Sequence, residues 1–267
     1  MPQVVVDGVS LHYEQEGQGS DLLLIHGLGG TLQVWDAEVP VFARHHRVTR
    51  FDVRGHGESD KPPGPYSLAR FAQDAVAVCD AAGVATAHVL GISMGGVIAQ
   101  RVALDFPRRL RSLILLSTSS EVGPQSVAAW QRLADRIERF GFDAQTADAS
   151  RAFAPAFAKQ HPDVVAALAR RNAANDPRGY AAAARAVSDY NWTAELPRLT
   201  LPVLILQGLD DQLTPPGGSV KMSRALPHAR LVMVDDAGHN LAVEQPAVFQ
   251  SSVLAFMAGV DFAAATR

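Results

Sequence analysis

One cysteine, Cys79, stands in 267 residues, so no intrachain disulfide can form. A chain of this length buries enough core to fold without one. Cys79 falls in an alanine-rich helical pattern, where a small buried residue is the expected role. A dominant charge is missing as well: 24 Lys/Arg against 27 Asp/Glu leave a net −3. No basic cluster is available to neutralise a phosphate backbone, which argues against a nucleic-acid partner. The densest basic group, Arg108, Arg109 and Arg111, follows Pro107 and is expected on a solvated helix-to-strand connection. No apolar run approaches the length of a membrane span, so no membrane partner is expected. The opening MPQVVVDGVS has neither a basic n-region nor an apolar h-region, and a cytoplasmic setting is expected.

What is present is an ordinary globular composition, 48% apolar and 19% charged. The length allows one large domain or a domain carrying an insertion. Val4–Val6 and Val9–Tyr13 flank Asp7-Gly8, a dipeptide suited to a tight hairpin turn. Short apolar runs at Leu22–Ile25, Val48–Val53, Val89–Leu90, Leu113–Leu116, Val203–Leu206 and Leu231–Val234 are bounded by turn residues. Such runs read as buried strands of a mostly parallel sheet. Helical patterns lie between them: Ser67–Ala82 with Ser67 as N-cap and Gly83 as stop, Met94–Phe106 stopped by Pro107, and Pro246–Met257. Strand and helix alternate, which predicts an α/β fold with helices on both faces of the sheet. From Glu121 to Trp192 the rhythm breaks into helical segments with no convincing strand. A core domain of residues 1–120 and 194–267, with an inserted helical lid over 121–193, is the expected organisation. Most of the lid's aromatic residues should pack it onto the sheet, and two or three should face a cleft.

The chemistry concentrates at turns that follow strands. Gly91-Ile92-Ser93-Met94-Gly95 matches G-x-S-x-G, directly after an apolar run and directly before a helical one. That context describes a sharp strand-to-helix turn that presents Ser93 as a nucleophile. A serine hydroxyl needs a base to take its proton. Of nine histidines, His239 in Asp236-Ala237-Gly238-His239-Asn240 lies just past a strand, at the carboxyl edge of the sheet where α/β ligand sites form. The histidine needs an acid to fix its tautomer. Asp210 and Asp211 compete in Gly208–Pro215; spacing from Gly208 favours Asp211, with Asp210 capping the turn and Glu121 a weaker substitute acid. The order Ser93, Asp211, His239 suits this fold. An oxyanion hole needs two backbone N–H groups, expected from Met94 and from Leu28 in the loop His26-Gly27-Leu28-Gly29-Gly30. That loop lacks the third spaced glycine of a dinucleotide fingerprint, and no P-loop lysine follows, so it is not read as a phosphate cradle; the triad needs no metal or organic cofactor, and none is expected.

These segments resemble the α/β-hydrolase superfamily from about Asp7 to Met257, the lid excluded. Asp52-Val53-Arg54-Gly55-His56-Gly57-Glu58-Ser59 resembles the family's D-x-R-G-H-G-x-S turn, a structural feature that leaves His56 out of the site. Ala237-Gly238-His239 with Glu244 and Pro246 resembles its histidine loop and the start of its last helix. Within the superfamily the chain is most similar to 3-oxoadipate enol-lactonase-like and carboxylesterase members, through Asp52–Ser59, Lys61–Ser67 and Gly91–Gly96. Enol-lactonases commonly carry Asn-Ser-Leu-Gly where this sequence has His26–Gly29. The resemblance implies serine-dependent hydrolysis of a small-molecule ester or lactone through an acyl-enzyme. Carbon–carbon hydrolysis of a dienone ring-cleavage product, with the same triad, is the alternative. A non-catalytic, ligand-binding member of the fold is the remote one. Lid arginines Arg151, Arg170, Arg171, Arg178 and Arg185 are candidates for holding a substrate carboxylate, although a solvated helix face is the plainer expectation for most.

Overall fold

The computed structural model describes residues 2–266. Eight strands form one sheet: β1 (Gln3–Val6), β2 (Val9–Glu16), β3 (Ser20–Ile25), β4 (His46–Phe51), β5 (Ala87–Ile92), β6 (Leu110–Leu116), β7 (Val203–Gly208) and β8 (Ala229–Val234). Their order is β1-β2-β4-β3-β5-β6-β7-β8. β2 pairs antiparallel with both β1 and β4, and from β4 to β8 every pairing is parallel. The β1–β2 hairpin turns at Asp7 and Gly8, with φ 50° and 78°, as the Asp-Gly dipeptide predicts. The central strands β3, β5, β6 and β7 are buried on both faces, which is why they read as continuous Leu/Ile/Val runs and not as alternation.

The helices are α1 (Val39–Phe42), α2 (Leu68–Ala81), α3 (Met94–Asp105), α4 (Pro124–Phe140), α5 (Pro155–Gln160), α6 (Pro162–Ala173), α7 (Pro177–Ala186), α8 (Gly217–Ala225), α9 (Leu241–Glu244) and α10 (Pro246–Ala265). Two cores lie on the two faces of the sheet. One gathers α2 and α3 with Phe71, Val78, Ile98 and Val102; the other gathers α1 and α10 with Phe42, Phe249, Val253 and Met257. Ser67 caps α2 by accepting the Arg70 N–H at 3.2 Å, and Gly83 stops that helix at φ 69°. Cys79 is buried in the first core.

Helices α4 to α7 all lie between β6 and β7, and only an isolated bridge, Glu121 to Asn191, interrupts that stretch. α4 and α7 pack on each other around Ala134, Ala181 and Ala184.

Two expectations change. α10 does not stop at Met257 but runs to Ala265, so it is a 20-residue helix long and apolar enough to cross a membrane by length and composition alone. Its alanine-rich second half carries little periodicity, and that hid its extent. Phe249, Val253 and Met257 nevertheless face the core, and Asp261 binds the sheet. The arginines after Pro107 are not simply solvated: Arg109 donates to Asp80, Val84 O and Ala85 O, and Arg111 donates to Asp261.

Candidate active site

Because β3 to β8 run parallel, the loops after them open on one edge of the sheet. The glycine loop follows β3, Ser93 follows β5, the Ser117–Glu121 turn follows β6, Asp211 follows β7 and His239 follows β8. The chain therefore places on one edge all five residues singled out from the sequence.

Ser93 joins β5 directly to α3 with φ 54° and ψ −120°, a left-handed conformation that costs a non-glycine residue of order 1–3 kcal/mol. The turn is held by Ser93 N–H donating to Leu116 O at 3.0 Å and by Thr118 Oγ1 donating to Ser93 O at 2.9 Å. It is also held by absence of bulk. A Cβ on Gly91 would collide with Gly95 O, and one on Gly95 with Ile25 O. These are the physical reasons for glycine two residues on either side of the serine.

Asp211 is buried, whereas Asp210 is exposed and makes no side-chain hydrogen bond among the described residues. Asp211 Oδ1 accepts the N–H groups of Leu213 and Thr214, both at 2.8 Å, and Oδ2 meets His239 Nδ1 at 2.9 Å. The expectation that Asp210 caps the turn is therefore corrected. One oxygen of Asp211 caps the turn and the other takes the imidazole, so a single buried carboxylate is locked by its own loop. Glu121 makes no hydrogen bond to the histidine; it pairs with Lys221 and accepts from Thr193.

With Nδ1 taken by Asp211, the free nitrogen of His239 is Nε2. Nε2 has no hydrogen-bond partner among the described residues, and neither do the backbone N–H groups of Leu28 and Met94. Leu28, Ser93 and Met94 line a cleft of about 320 Å3. Its apolar wall adds Val97, Trp130 and Val187, and its polar wall has Ser119, Ser126 and Tyr190. Trp130 and Tyr190 are the aromatics of the helical insertion that face it. Burial pushes the Tyr190 phenol up to about 12, which keeps it a neutral hydrogen-bonding group beside Ser119.

Of two further polar residues on this edge, Gln207 has no place in the sequence reading and Glu244 enters it only through the likeness of its loop. Gln207, buried at the end of β7, donates to Asp211 Oδ2, Gly208 O and Thr214 O and accepts from Ser219. Glu244 in α9 accepts Gly238 N–H at 2.9 Å and Ala154 N–H at 2.7 Å, tying the histidine loop to the helical insertion. Burial raises its pKa, against those two backbone donors. The usable signal was the same for both: a polar residue that closes an otherwise apolar run.

The model of the alpha/beta hydrolase fold matches residues 22–246. The chain belongs to the α/β-hydrolase family. Among curated relatives it is 33% identical over 253 residues to 3-oxoadipate enol-lactonase 2 of Acinetobacter baylyi, covering 93% of each chain. Among solved structures it is similar to the enol-lactonase of Burkholderia xenovorans LB400, at 29% identity and TM-score 0.91 over 96% of this chain and all of that one. It is equally similar to a thermophilic esterase of Thermogutta terrifontis in its malate-bound structure, at 29% identity and TM-score 0.91 over 97% and 99%. The likeness to enol-lactonase-like hydrolases that the motifs carry therefore extends over more than nine-tenths of the chain, the insertion included. For the arginines of the insertion, this α/β hydrolase follows the plainer of the two expectations. None of its five candidate arginines lines the cleft: Arg151 donates to Gln212 O, Arg185 is held by Asp135 and Glu138, and Arg171 is exposed, with its pKa lowered by desolvation.

Proposed function

We propose that this hydrolase cleaves a small, uncharged carboxylic ester or lactone through an acyl-enzyme on Ser93. The observation that carries the reading is the strained Ser93 turn opening on a cleft beside unpaired Leu28 and Met94 N–H groups, with a buried His239–Asp211 pair on the same edge. His239 Nε2 takes the hydroxyl proton as Ser93 Oγ attacks the carbonyl carbon, and the two N–H groups stabilise the oxygen as it becomes negative. The tetrahedral intermediate collapses as His239 returns the proton to the leaving alcohol. Water then attacks the acyl-enzyme, again losing its proton to His239, and the acid leaves with Ser93 restored. Asp211 holds the ring in the tautomer with hydrogen on Nδ1 and stabilises the imidazolium that forms. The insertion that carries helices α4 to α7 acts as a lid, whose Trp130 and Tyr190 shape the acyl pocket.

The cleft favours a neutral substrate over an anionic enol-lactone. Its one lining cation, Lys221, is already paired with Glu121, which also lines it. A substrate carboxylate would gain the lysine but meet the glutamate at the same wall. A panel of p-nitrophenyl butyrate, mono-p-nitrophenyl succinate, a simple δ-lactone and a dienone ring-cleavage product tests this. Neutral ester or lactone should have the highest kcat/KM, with the succinate monoester at least about tenfold lower. Turnover of the dienone alone would overturn the ester reading in favour of carbon–carbon hydrolysis.

A further inference from the structure

An oxyanion donor is useful only if its N–H is aimed before charge develops, and a glycine-rich loop does not aim anything by itself. The Leu28 N–H shares a rigid peptide plane with the Gly27 carbonyl, so whatever holds that oxygen also aims the N–H. Gly27 O accepts two hydrogen bonds, from Gly30 N at 3.0 Å and from His26 Nδ1 at 2.7 Å. His26 is fully buried, and its Nε2 accepts the Val53 N–H at 2.9 Å. An imidazole that accepts at Nε2 and donates at Nδ1 is neutral and fixed in one tautomer, and burial lowers its pKa accordingly.

His56 does the reciprocal work on the next peptide. Its Nε2 accepts the Gly29 N–H at 3.1 Å and its Nδ1 donates to Arg54 O at 3.2 Å. The two rings meet edge to face at 5.2 Å. From the insertion, Asn175 donates to Gly29 O at 2.9 Å.

We infer that His26 is a positioning residue for the oxyanion hole, its Nδ1–H aiming and polarising the Leu28 N–H through Gly27 O while His56 anchors the adjoining peptide. Hydrogen bonds at the two ends of one peptide unit strengthen each other, so the donation to Gly27 O makes Leu28 N–H a better donor. The inference rests on the acyl-enzyme reading above. It is distinct from a bracing role, in which His26 would only tie the end of β3 to Val53. The two roles use different ring nitrogens and can be separated.

His26→Asn places an amide donor near the position of Nδ1; His26→Gln places its amide near Nε2, keeping an acceptor for Val53 N–H and losing the donor to Gly27 O. For each variant, kcat and KM are measured with p-nitrophenyl acetate, the inhibition constant with phenyl trifluoromethyl ketone, whose serine adduct carries the oxyanion, and the melting midpoint. The glutamine variant should lose about ten- to a hundredfold in kcat with KM within about twofold, and lose the same factor in inhibitor affinity. The asparagine variant should stay within about fivefold of the unaltered protein in both. The opposite ranking, or equal values in folded variants, would overturn the inference. Should a His26 variant be unfolded at the assay temperature, His56 carries the test with the order reversed. There His56→Gln keeps the acceptor for Gly29 N–H and the rate, and His56→Asn loses both; the absence of that reversal overturns the inference. If the unaltered protein neither hydrolyses the ester nor binds the ketone, the acyl-enzyme reading itself fails, an outcome distinct from active variants that show no ranking.

Discussion

Two histidine–aspartate pairs sit at opposite edges of the same sheet. At the carboxyl edge His239 Nδ1 meets Asp211 Oδ2 at 2.9 Å; at the amino edge His88 Nε2 meets Asp261 Oδ1 at 3.1 Å. As isolated pairs they are nearly alike. Their surroundings differ. His88 spends its second nitrogen on Ser112 Oγ at 2.7 Å, and Asp261 is also held by Arg111 at 2.9 Å and Ser20 at 2.6 Å. Every strong hydrogen-bonding position of that pair is filled, and what it does is fasten α10 across the starts of β3, β5 and β6. His239 keeps Nε2 free, on the same sheet edge as a strained serine that lines a cleft. The lesson is that a His–Asp pair becomes chemistry only where the second ring nitrogen is left for something else.

The largest effect should come from the group that the amino-edge pair lacks. Ser93→Ala should lower kcat for p-nitrophenyl butyrate by about ten thousandfold or more while leaving the melting midpoint nearly unchanged, since alanine meets the same backbone strain and the hydroxyl has no hydrogen-bond partner to lose among the described residues. Steady-state rates together with calorimetry check both halves.

Next comes the acid. Asp211→Asn should cost about a thousand- to ten-thousandfold in kcat, because the neutral amide no longer stabilises the imidazolium. Asp210→Asn should stay within about twofold. Were the Asp210 change the more damaging, the acid assignment would be wrong and the comparison between the two pairs would need redrawing.

At the amino edge the same substitution should move stability and not rate. Asp261→Asn weakens its links to Arg111 and His88, and is expected to lower stability by about 1–3 kcal/mol, or roughly 3–8 °C in Tm, with kcat within about twofold. A large loss of rate without a drop in Tm would remove the distinction drawn here.

The smallest effect is in pH. Burial pushes His88 down to about 4 from its ordinary 6.5. Between those values the unfolded chain binds a proton that the folded one does not, so stability contributed by neutral His88 is present above 6.5 and is lost as pH falls toward 4. His88→Gln removes that linkage. The unfolding free energy of the variant relative to the unaltered protein should therefore drift upward by about 1–2 kcal/mol from pH 7 to pH 5. A pH-independent difference, followed by denaturant unfolding at several pH values, would contradict it.

The comparison also marks what the sequence could and could not reveal. Strand runs such as Leu22–Ile25 and Val203–Leu206 were legible because a sheet buried on both faces demands unbroken apolar residues. Ser93 and His239 were legible because each follows such a run at a glycine-bearing turn. Spacing from Gly208 points to Asp211, which is the buried aspartate of the two, but the turn-capping expected of Asp210 also falls to Asp211. Adjacent residues share a motif, and only burial tells them apart. The roles of Gln207 and Glu244 are not legible, because the fold alone brings Gln207 to Asp211 and Ser219, and Glu244 to the Gly238 and Ala154 N–H groups. The reach of α10 was missed for a different reason: a helix rich in alanine beyond its core-facing residues leaves no period to follow. His56 was set aside as structural, and the fold does place it in a turn, yet its acceptor lands on the loop after β3.

The central claim is a covalent one, and trapping the intermediate tests it most directly. The protein is mixed with p-nitrophenyl butyrate, quenched in acid within the first turnovers, digested and mapped by mass spectrometry. A butyryl group on the peptide containing Ser93, absent in Ser93→Ala, is the expected result. Continued turnover by Ser93→Ala at the unaltered rate, or an acyl group on a different residue, would contradict the account.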